Sequence, residues 1–264
     1  MTDSSAVHFD RVTLKRGHRT ILADATMRLP QGKVTAVVGP SGAGKSTLLY
    51  ALSGELAPSD GVLTVLGQRM PRPSARELFA LRRRMGVLLQ GNGLLTDLDV
   101  FENVALPVRM HTDLPEPVLR ELVSMKLNAV GLAEAAELMP QELSGGMARR
   151  VAIARALALD PPLMLYDEPL SGLDPIACGV ILDLIRRLND SLGLTSMVIT
   201  HHVTETLAMA DHAVVVANHG IAYEGPPTGL AEATDPLLRQ FLDGQPDGPI
   251  GFDYRRQRQG GQRG

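Results

Sequence analysis

Residues 39–47 constrain this chain more than any other stretch, because they match the phosphate-binding pattern of glycine, four spacers, glycine, lysine and a hydroxyl residue. The apolar run 34–38 before them predicts a buried strand, and residues 47–52 predict the start of a helix. Inward N–H groups and a helix N-terminus attract phosphate. The stretch therefore predicts a nucleoside triphosphate site made by Gly39, Pro40, Ser41, Gly42, Ala43, Gly44, Lys45, Ser46 and Thr47.

Two residues of this loop have separate expected roles. Lys45 is placed to reach the β- and γ-phosphates, and the Ser46 hydroxyl is placed to ligate Mg²⁺, a hard cation that prefers oxygen. The alternative is a glycine- and serine-rich turn that matches the pattern by chance.

Composition and charge limit the kinds of molecule that this chain is expected to bind. The formal net charge of −3 gives no global basic field, which argues against a nucleic-acid partner. The single cysteine, Cys178, excludes an internal disulfide, and the polar start at residues 1–5 does not resemble a signal segment. No apolar run approaches the roughly 18 to 20 residues of a spanning helix. We therefore expect a cytoplasmic chain that reaches a membrane only through a partner.

The order of elements predicts an α/β fold. Short strands at 7–9, 12–14, 25–29 and 61–67 predict an antiparallel β-subdomain. Alternating strands and helices, at 75–89 and again from 163 to 217, predict a mostly parallel core sheet. Helical stretches broken at prolines predict an inserted α-helical subdomain at about 92–158. We expect one domain over 1–245 and a C-terminal extension over 246–264; the expected breaks fall at Pro107, Pro115, Pro117 and Pro140.

Two adjacent carboxylates close the predicted strand 163–166. Asp167 and Glu168 would stand at the carboxyl edge of the sheet, beside the phosphate loop. Asp167 is expected to hold Mg²⁺ through water, and Glu168 to orient or deprotonate the attacking water. The alternative is an ordinary acidic helix start.

A second anion-binding pattern lies upstream of these carboxylates. Ser144, Gly145 and Gly146 open a predicted helix, and a plain helix cap is the alternative. One triphosphate does not need two such sites from one chain. The stretch Leu143 to Met147 resembles the signature motif of ATP-binding cassette (ABC) ATPases, a family of P-loop NTPases in which this motif contacts the ATP of a second subunit.

The resemblance to ABC ATPases implies further roles. Gln90 resembles the residue that contacts Mg²⁺ or the attacking water and that links the catalytic core to the helical subdomain. Asp174 resembles the loop residue that contacts the opposite subunit. His201 resembles the histidine that contacts the γ-phosphate, with His202 where the family often has aspartate. It also implies a homodimer that binds two ATP molecules with Mg²⁺.

Two positions depart from the family pattern. Arg16 stands where many members have an aromatic residue that stacks on adenine; a planar guanidinium can also stack on a base, and a solvated turn arginine is the alternative. Met147 replaces the usual glutamine, so Ser144, Gly145 and Gly146 must make the contact.

Three further stretches make the resemblance closer. Residues 125–132, residues 143–150, and residues 241–244 with 247–249 are similar to the ATPase subunits of Mla systems, which move phospholipids between the membranes of Gram-negative bacteria. This implies a transmembrane permease, a STAS-domain protein and a periplasmic MCE-domain lipid-binding protein as partners, at the cytoplasmic face of the inner membrane. Phe252 and Tyr254 are the candidates for a contact with the other ATPase subunit, and a disordered tail is the alternative. A transporter ATPase for another small solute and a soluble, non-transport ABC ATPase are the alternatives.

Overall fold

The computed structural model describes residues 5–70 and 74–251, which contain ten strands and nine α-helices. The strands are β1 (Ser5–Arg16), β2 (Arg19–Pro30), β3 (Val34–Val38), β4 (Asp60–Val65), β5 (Gln68–Met70), β6 (Met85–Leu88), β7 (Leu163–Asp167), β8 (Thr195–Ile199), β9 (His212–Ala217) and β10 (Gly220–Gly225). The α-helices are α1 (Lys45–Leu52), α2 (Ala75–Arg82), α3 (Val100–His111), α4 (Glu116–Ala129), α5 (Gly145–Ala156), α6 (Pro175–Leu192), α7 (Val203–Met209), α8 (Pro227–Ala231) and α9 (Pro236–Asp243).

These strands form two sheets. The larger has the order β10-β9-β3-β8-β7-β6, and all its neighbours pair in parallel except β10 with β9. The smaller sheet has the order β2-β1-β4-β5 and is antiparallel. The predicted fold class is therefore confirmed, with a mostly parallel core sheet, an antiparallel sheet and helices between β6 and β7.

Helix α1 lies in a hydrophobic core that both sheets share. Its Leu48, Leu49 and Leu52 are buried in one cluster with side chains of β1, β3 and β7. Burying a leucine side chain contributes about 1.5–3 kcal/mol. The packing of α1 thus fixes the loop that precedes it relative to the core sheet.

Helices α3, α4 and α5 pack on one another through a second buried cluster. The predicted break at Pro107 is wrong, because α3 continues through this residue. Val104 and Val108 on either side of Pro107 are buried, and their packing outweighs a proline cost of about 3 kcal/mol. Pro115 immediately precedes α4, as the prediction required, and Pro140 begins a short 3-10 turn. The predicted break at Pro117 is also wrong, because α4 begins at Glu116 and continues through Pro117; in this first turn the missing N–H of a proline is not needed.

The structure also differs from the predicted secondary structure near both ends of the chain. The predicted strands 7–9 and 12–14 are one strand, β1, with a shift in register between Phe9 and Val12, where Arg11 has a φ of 49°. The elements β10, α8 and α9 were not predicted. Phe252, Tyr254 and the arginine-rich end lie outside the described residues. Within residues 5–70 and 74–251, no helix has the length and apolar character needed to cross a membrane.

Candidate nucleotide-binding site

The phosphate loop joins β3 to α1 and passes close to a neighbouring strand. Gly39 has a φ of 149°, and a Cβ added there would lie 2.1 Å from the carbonyl oxygen of Val216 in β9. Only glycine permits this approach. The loop then reaches Gly44, which immediately precedes the first turn of α1, so that the helix N-terminus faces the loop.

Lys45 is buried inside the loop. Its Nζ donates hydrogen bonds to the carbonyl oxygens of Gly39 at 2.8 Å and Pro40 at 3.0 Å. Burial lowers the pKa of Lys45, and the charges of Glu168 and Asp167 oppose that shift. The Lys45 side chain is therefore partly desolvated and is held inside the loop, where the backbone N–H groups and the N-terminus of α1 favour an anion.

Most of the predicted site residues line one open cavity of about 570 Å³. Gly39 and Pro40 instead accept hydrogen bonds from Lys45, and Ala43 packs against the hydrophobic core. Tyr50, Arg19 and Ile21 also line the cavity, although no sequence motif had indicated them. The lining residues are Arg16, Arg19, Ile21, Ser41, Gly42, Gly44, Lys45, Ser46, Thr47, Tyr50, Gln90, Asp167, Glu168, Ser171 and His201.

Glu168 is held in place by its backbone and by His201. It follows β7 with a φ of 50°, in the left-handed region, and its N–H donates to the carbonyl of Ile199 at 2.9 Å. Its carboxylate accepts the backbone N–H of His201 at 3.2 Å, and the Nε2 of His201 lies 3.2 Å from its other oxygen. The side chain is 12% exposed. This fixed carboxylate faces the cavity, as a general base requires.

Asp167 is the last residue of β7 and lines the same cavity. Burial raises its pKa, and so does the adjacent charge of Glu168, whereas Lys45 and His201 lower it. Asp167 therefore lies partly desolvated beside a second negative side chain, and a nearby cation would relieve the repulsion between them.

The two adjacent histidines differ in position. His201 lines the cavity, whereas His202 immediately precedes α7 and its N–H donates to the hydroxyl of Thr200. The geometry thus places the expected member of the pair next to Glu168.

The cavity contains side-chain oxygens of the kind that bind a magnesium ion. Ser46, Gln90 and Asp167 bring three different oxygen-bearing side chains to one cavity. Within the described part of the chain, no group of three or more His, Cys, Asp or Glu side chains is arranged to hold a metal alone. In nucleotide sites, Mg²⁺ usually binds one or two protein oxygens, and phosphate oxygens and water complete its coordination. The residues present therefore fit this ion together with a nucleotide.

Arg16 makes a contact that the sequence did not indicate. Its guanidinium carbon lies 4.8 Å from the centre of the Tyr50 ring, within the range of a cation–π interaction. Both residues line the cavity near Arg19. The face of the guanidinium is thereby supported by an aromatic ring from α1.

The signature residues line a second cavity of about 300 Å³. Ser144 accepts the N–H of Met147 at 3.2 Å and caps α5, and Gly145 and Gly146 follow it. Asp174 caps α6 on the other side, where it accepts the N–H groups of Ile176 and Ala177. The two cavities share no lining residue. The fold therefore does not bring Ser144 or Asp174 to the phosphate loop of the same chain.

Comparisons with known proteins agree with this geometry. Residues 22–171 match the family model described as ABC transporter. The chain is 49% identical over 252 residues to the "Intermembrane phospholipid transport system ATP-binding protein MlaF" of Haemophilus influenzae, which covers 96% of each chain.

Solved structures give the same result. CbiO1 from Clostridium perfringens, part of the ABC transporter complex cbiONQ, is 25% identical with a TM-score of 0.81, covering 92% of this chain and 96% of that one. The ATP-binding cassette MJ0796, solved as a dimer in a post-hydrolysis state bound to ADP and Pi, is 29% identical with a TM-score of 0.75, covering 84% and 98%. Because the family model matches more than half of the chain and MlaF matches almost all of it, this chain belongs to the ABC transporter family.

Proposed function

We propose that the chain is the ATP-hydrolysing subunit of a membrane transporter that moves phospholipid between the inner and outer membranes. The observation that carries the proposal is a phosphate loop with a buried lysine and a fixed glutamate in one cavity, and Ser144 to Gly146 in another. The phospholipid cargo rests on the 49% identity to MlaF, whose name states an intermembrane phospholipid transport system.

Six residues of the cavity beside the phosphate loop, the first cavity, have proposed roles in hydrolysis. Lys45 exchanges its two carbonyl acceptors for phosphate oxygens, and the loop N–H groups bind the same phosphates. Ser46, Gln90 and, through water, Asp167 would hold Mg²⁺, and the ion would supply positive charge to the phosphate oxygens. Glu168 accepts the proton of the attacking water, and His201 holds the carboxylate and contacts the γ-phosphate.

Hydrolysis requires two copies of the chain. Ser144, Gly145 and Gly146 lie outside the cavity of their own phosphate loop, so we infer that they complete the site of a second copy, and that Asp174 contacts that copy. The dimer of MJ0796 supports this arrangement by analogy. The division into residues 1–245 with a helical subdomain at 92–158 and an extension from 246 belongs to the same proposal.

The proposed partners are a transmembrane permease, a STAS-domain protein and a periplasmic MCE-domain lipid-binding protein. The chain would sit at the cytoplasmic face of the inner membrane and contact it mainly through the permease. The competing hypotheses are a transporter of another solute and a soluble ABC ATPase. The lipid experiment below distinguishes both from the proposal.

Replacing Glu168 by Gln removes the proton acceptor but leaves the phosphate loop intact. We expect ATP binding within about twofold of wild type and hydrolysis slower by about two to four orders of magnitude. Equilibrium binding of a fluorescent ATP analogue and phosphate release measure the two quantities. Glu121→Gln, an exposed position on α4, is the matched control. Normal hydrolysis by Glu168→Gln would rule out this role.

Replacing Arg16 by Ala removes the proposed base-stacking surface. We expect the KM for ATP to rise about three- to tenfold with little change in kcat, since a cation–π or stacking contact is worth about 0.5–2 kcal/mol. Tyr50→Phe keeps the ring under Arg16 and should behave as wild type, whereas Tyr50→Leu should shift KM in the same direction as Arg16→Ala. Lys15→Ala, an exposed neighbour on β1, is the control. An unchanged KM in Arg16→Ala contradicts the assignment.

Mixed dimers test the composite site. When one chain carries Lys45→Ala and its partner carries Ser144→Arg, one phosphate loop still meets an intact Ser144, and up to about half of the hydrolysis should remain. When both changes are on the same chain and the partner is wild type, both sites are damaged and hydrolysis should be lost. Tandem-tag purification followed by phosphate release compares the two pairs. The opposite ranking would show that Ser144 serves its own chain.

The cargo is tested by purifying the full chain with its membrane partners and identifying bound lipid by mass spectrometry. We expect phospholipid in roughly molar proportion to the complex, above the amount carried by an unrelated transporter in the same detergent. Complexes that hold another solute, or a chain that purifies without any membrane partner, would contradict the phospholipid proposal.

A further inference from the structure

The loop that carries Gln90 has an unusual backbone. Gly91, Asn92 and Gly93 all have positive φ, at 84°, 66° and 60°, and the Gly93 N–H donates to the carbonyl of Gly91 at 2.8 Å. Successive left-handed residues are unfavourable in a chain of L-amino acids, above all at Asn92, which has a Cβ. Contacts from outside the loop must therefore maintain this conformation.

Arg155, in the last turn of α5, provides one such contact. Its Nη1 donates to the carbonyl of Gly93 at 2.7 Å and its Nη2 donates to the carbonyl of Asn92 at 3.1 Å. The planar guanidinium presents two parallel N–H groups to two consecutive carbonyls, a geometry that lysine cannot reproduce. Arg155 thus binds the backbone two and three residues beyond Gln90.

Helix α3 holds the far end of the same loop. The side chain of Asn103 is fully buried, accepts the N–H of Leu95 at 2.8 Å, and donates to the carbonyls of Leu95 and Leu98 at 3.0 and 2.9 Å. The loop after β6 is therefore fixed at one end by α5 and at the other by α3.

The end of α5 also packs tightly on β6, the strand that leads to Gln90. A Cβ added at Gly86 would lie 2.5 Å from the carbonyl oxygen of Ala156, so the helix touches the strand backbone directly. Because Gly86 has no side chain that could adjust, a displacement of this helix end would act directly on the backbone of β6.

The start of α5 lines the second cavity, whereas its end is hydrogen-bonded to the loop that carries Gln90. Ser144, Gly145 and Gly146 line the second cavity at its start, and Arg155 lies about 15 Å away near its end, at 1.5 Å per residue. We propose that Arg155 is a positioning residue that ties the Gln90 loop to α5, so that movement of the second cavity moves Gln90 in the first. The coupling rests on the proposed function, since it requires the second cavity to bind a partner's nucleotide.

The clamp itself is tested by amide hydrogen exchange on the full-length chain. Arg155→Met keeps the packed stem but removes the donors, and Arg155→Lys keeps the charge but not the fork. We expect exchange at the Gly93 amide to rise about tenfold in Arg155→Met and by less in Arg155→Lys. The Leu95 amide, held by Asn103, is the internal reference. Equal exchange at Gly93 in wild type and Arg155→Met would overturn the clamp.

The coupling is tested by steady-state hydrolysis in the same variants. We expect kcat to fall about tenfold in Arg155→Met while the KM for ATP changes less than twofold, because the phosphate loop is untouched. Arg239→Gln is the control, since Arg239 also donates to two backbone carbonyls, of Ala231 and Ala233, but these lie far along the chain from the Gln90 loop.

The outcomes separate this inference from the proposed function. Faster exchange at Gly93 with unchanged kcat would overturn the coupling, while a slow Glu168→Gln variant would still support the proposed function. If Glu168→Gln hydrolyses ATP as fast as wild type, the proposed role of the first cavity fails, and the exchange experiment still decides whether Arg155 holds the loop.

Discussion

The parallel hydrogen-bond ladder across β3, β8, β7 and β6 is the constraint on which the site depends. Val37 is level with Ile199, Ile199 with Asp167, and Tyr166 with Leu88. Residues more than 100 positions apart in the chain therefore leave the sheet along one edge, and the phosphate loop, Gln90, the two carboxylates and His201 meet there. A slip of one residue in any of these pairings would turn a whole strand over and separate the group.

Charge and burial are balanced at this edge. Lys45 is desolvated by the loop, and Asp167 and Glu168 repel each other while both are attracted to Lys45. The left-handed backbone at Glu168 adds strain that the hydrogen bonds to Ile199 and His201 offset. Strain and desolvation of this kind survive only where the surrounding core is rigid, and the leucines of α1 supply that rigidity from beneath the loop.

Sequence patterns predicted the parts of the molecule whose structure is determined by residues close together in the chain. The apolar runs of β3, β7 and β8 and the glycine pattern of the loop are of this kind. The prediction at Pro107 was wrong because a proline destabilises only its own turn of helix, whereas α3 is also stabilised by packing against other helices. Strand β10 was missed because its side chains are only partly buried and give no clear alternation. The contacts of Arg16 with Tyr50 and of Arg155 with the Gln90 loop join distant positions without any motif, so only three-dimensional placement could reveal them.

The hydrogen bonds of Lys45 have a consequence for how a phosphate would be recognised. Its ammonium already donates to two backbone carbonyls, so an incoming anion competes with neutral oxygens instead of meeting a bare cation. The free energy gained is the difference between charged and neutral acceptors, not the full strength of an ion pair. Because most of the lysine side chain is already buried before a phosphate binds, less water has to be removed from it at the moment of binding.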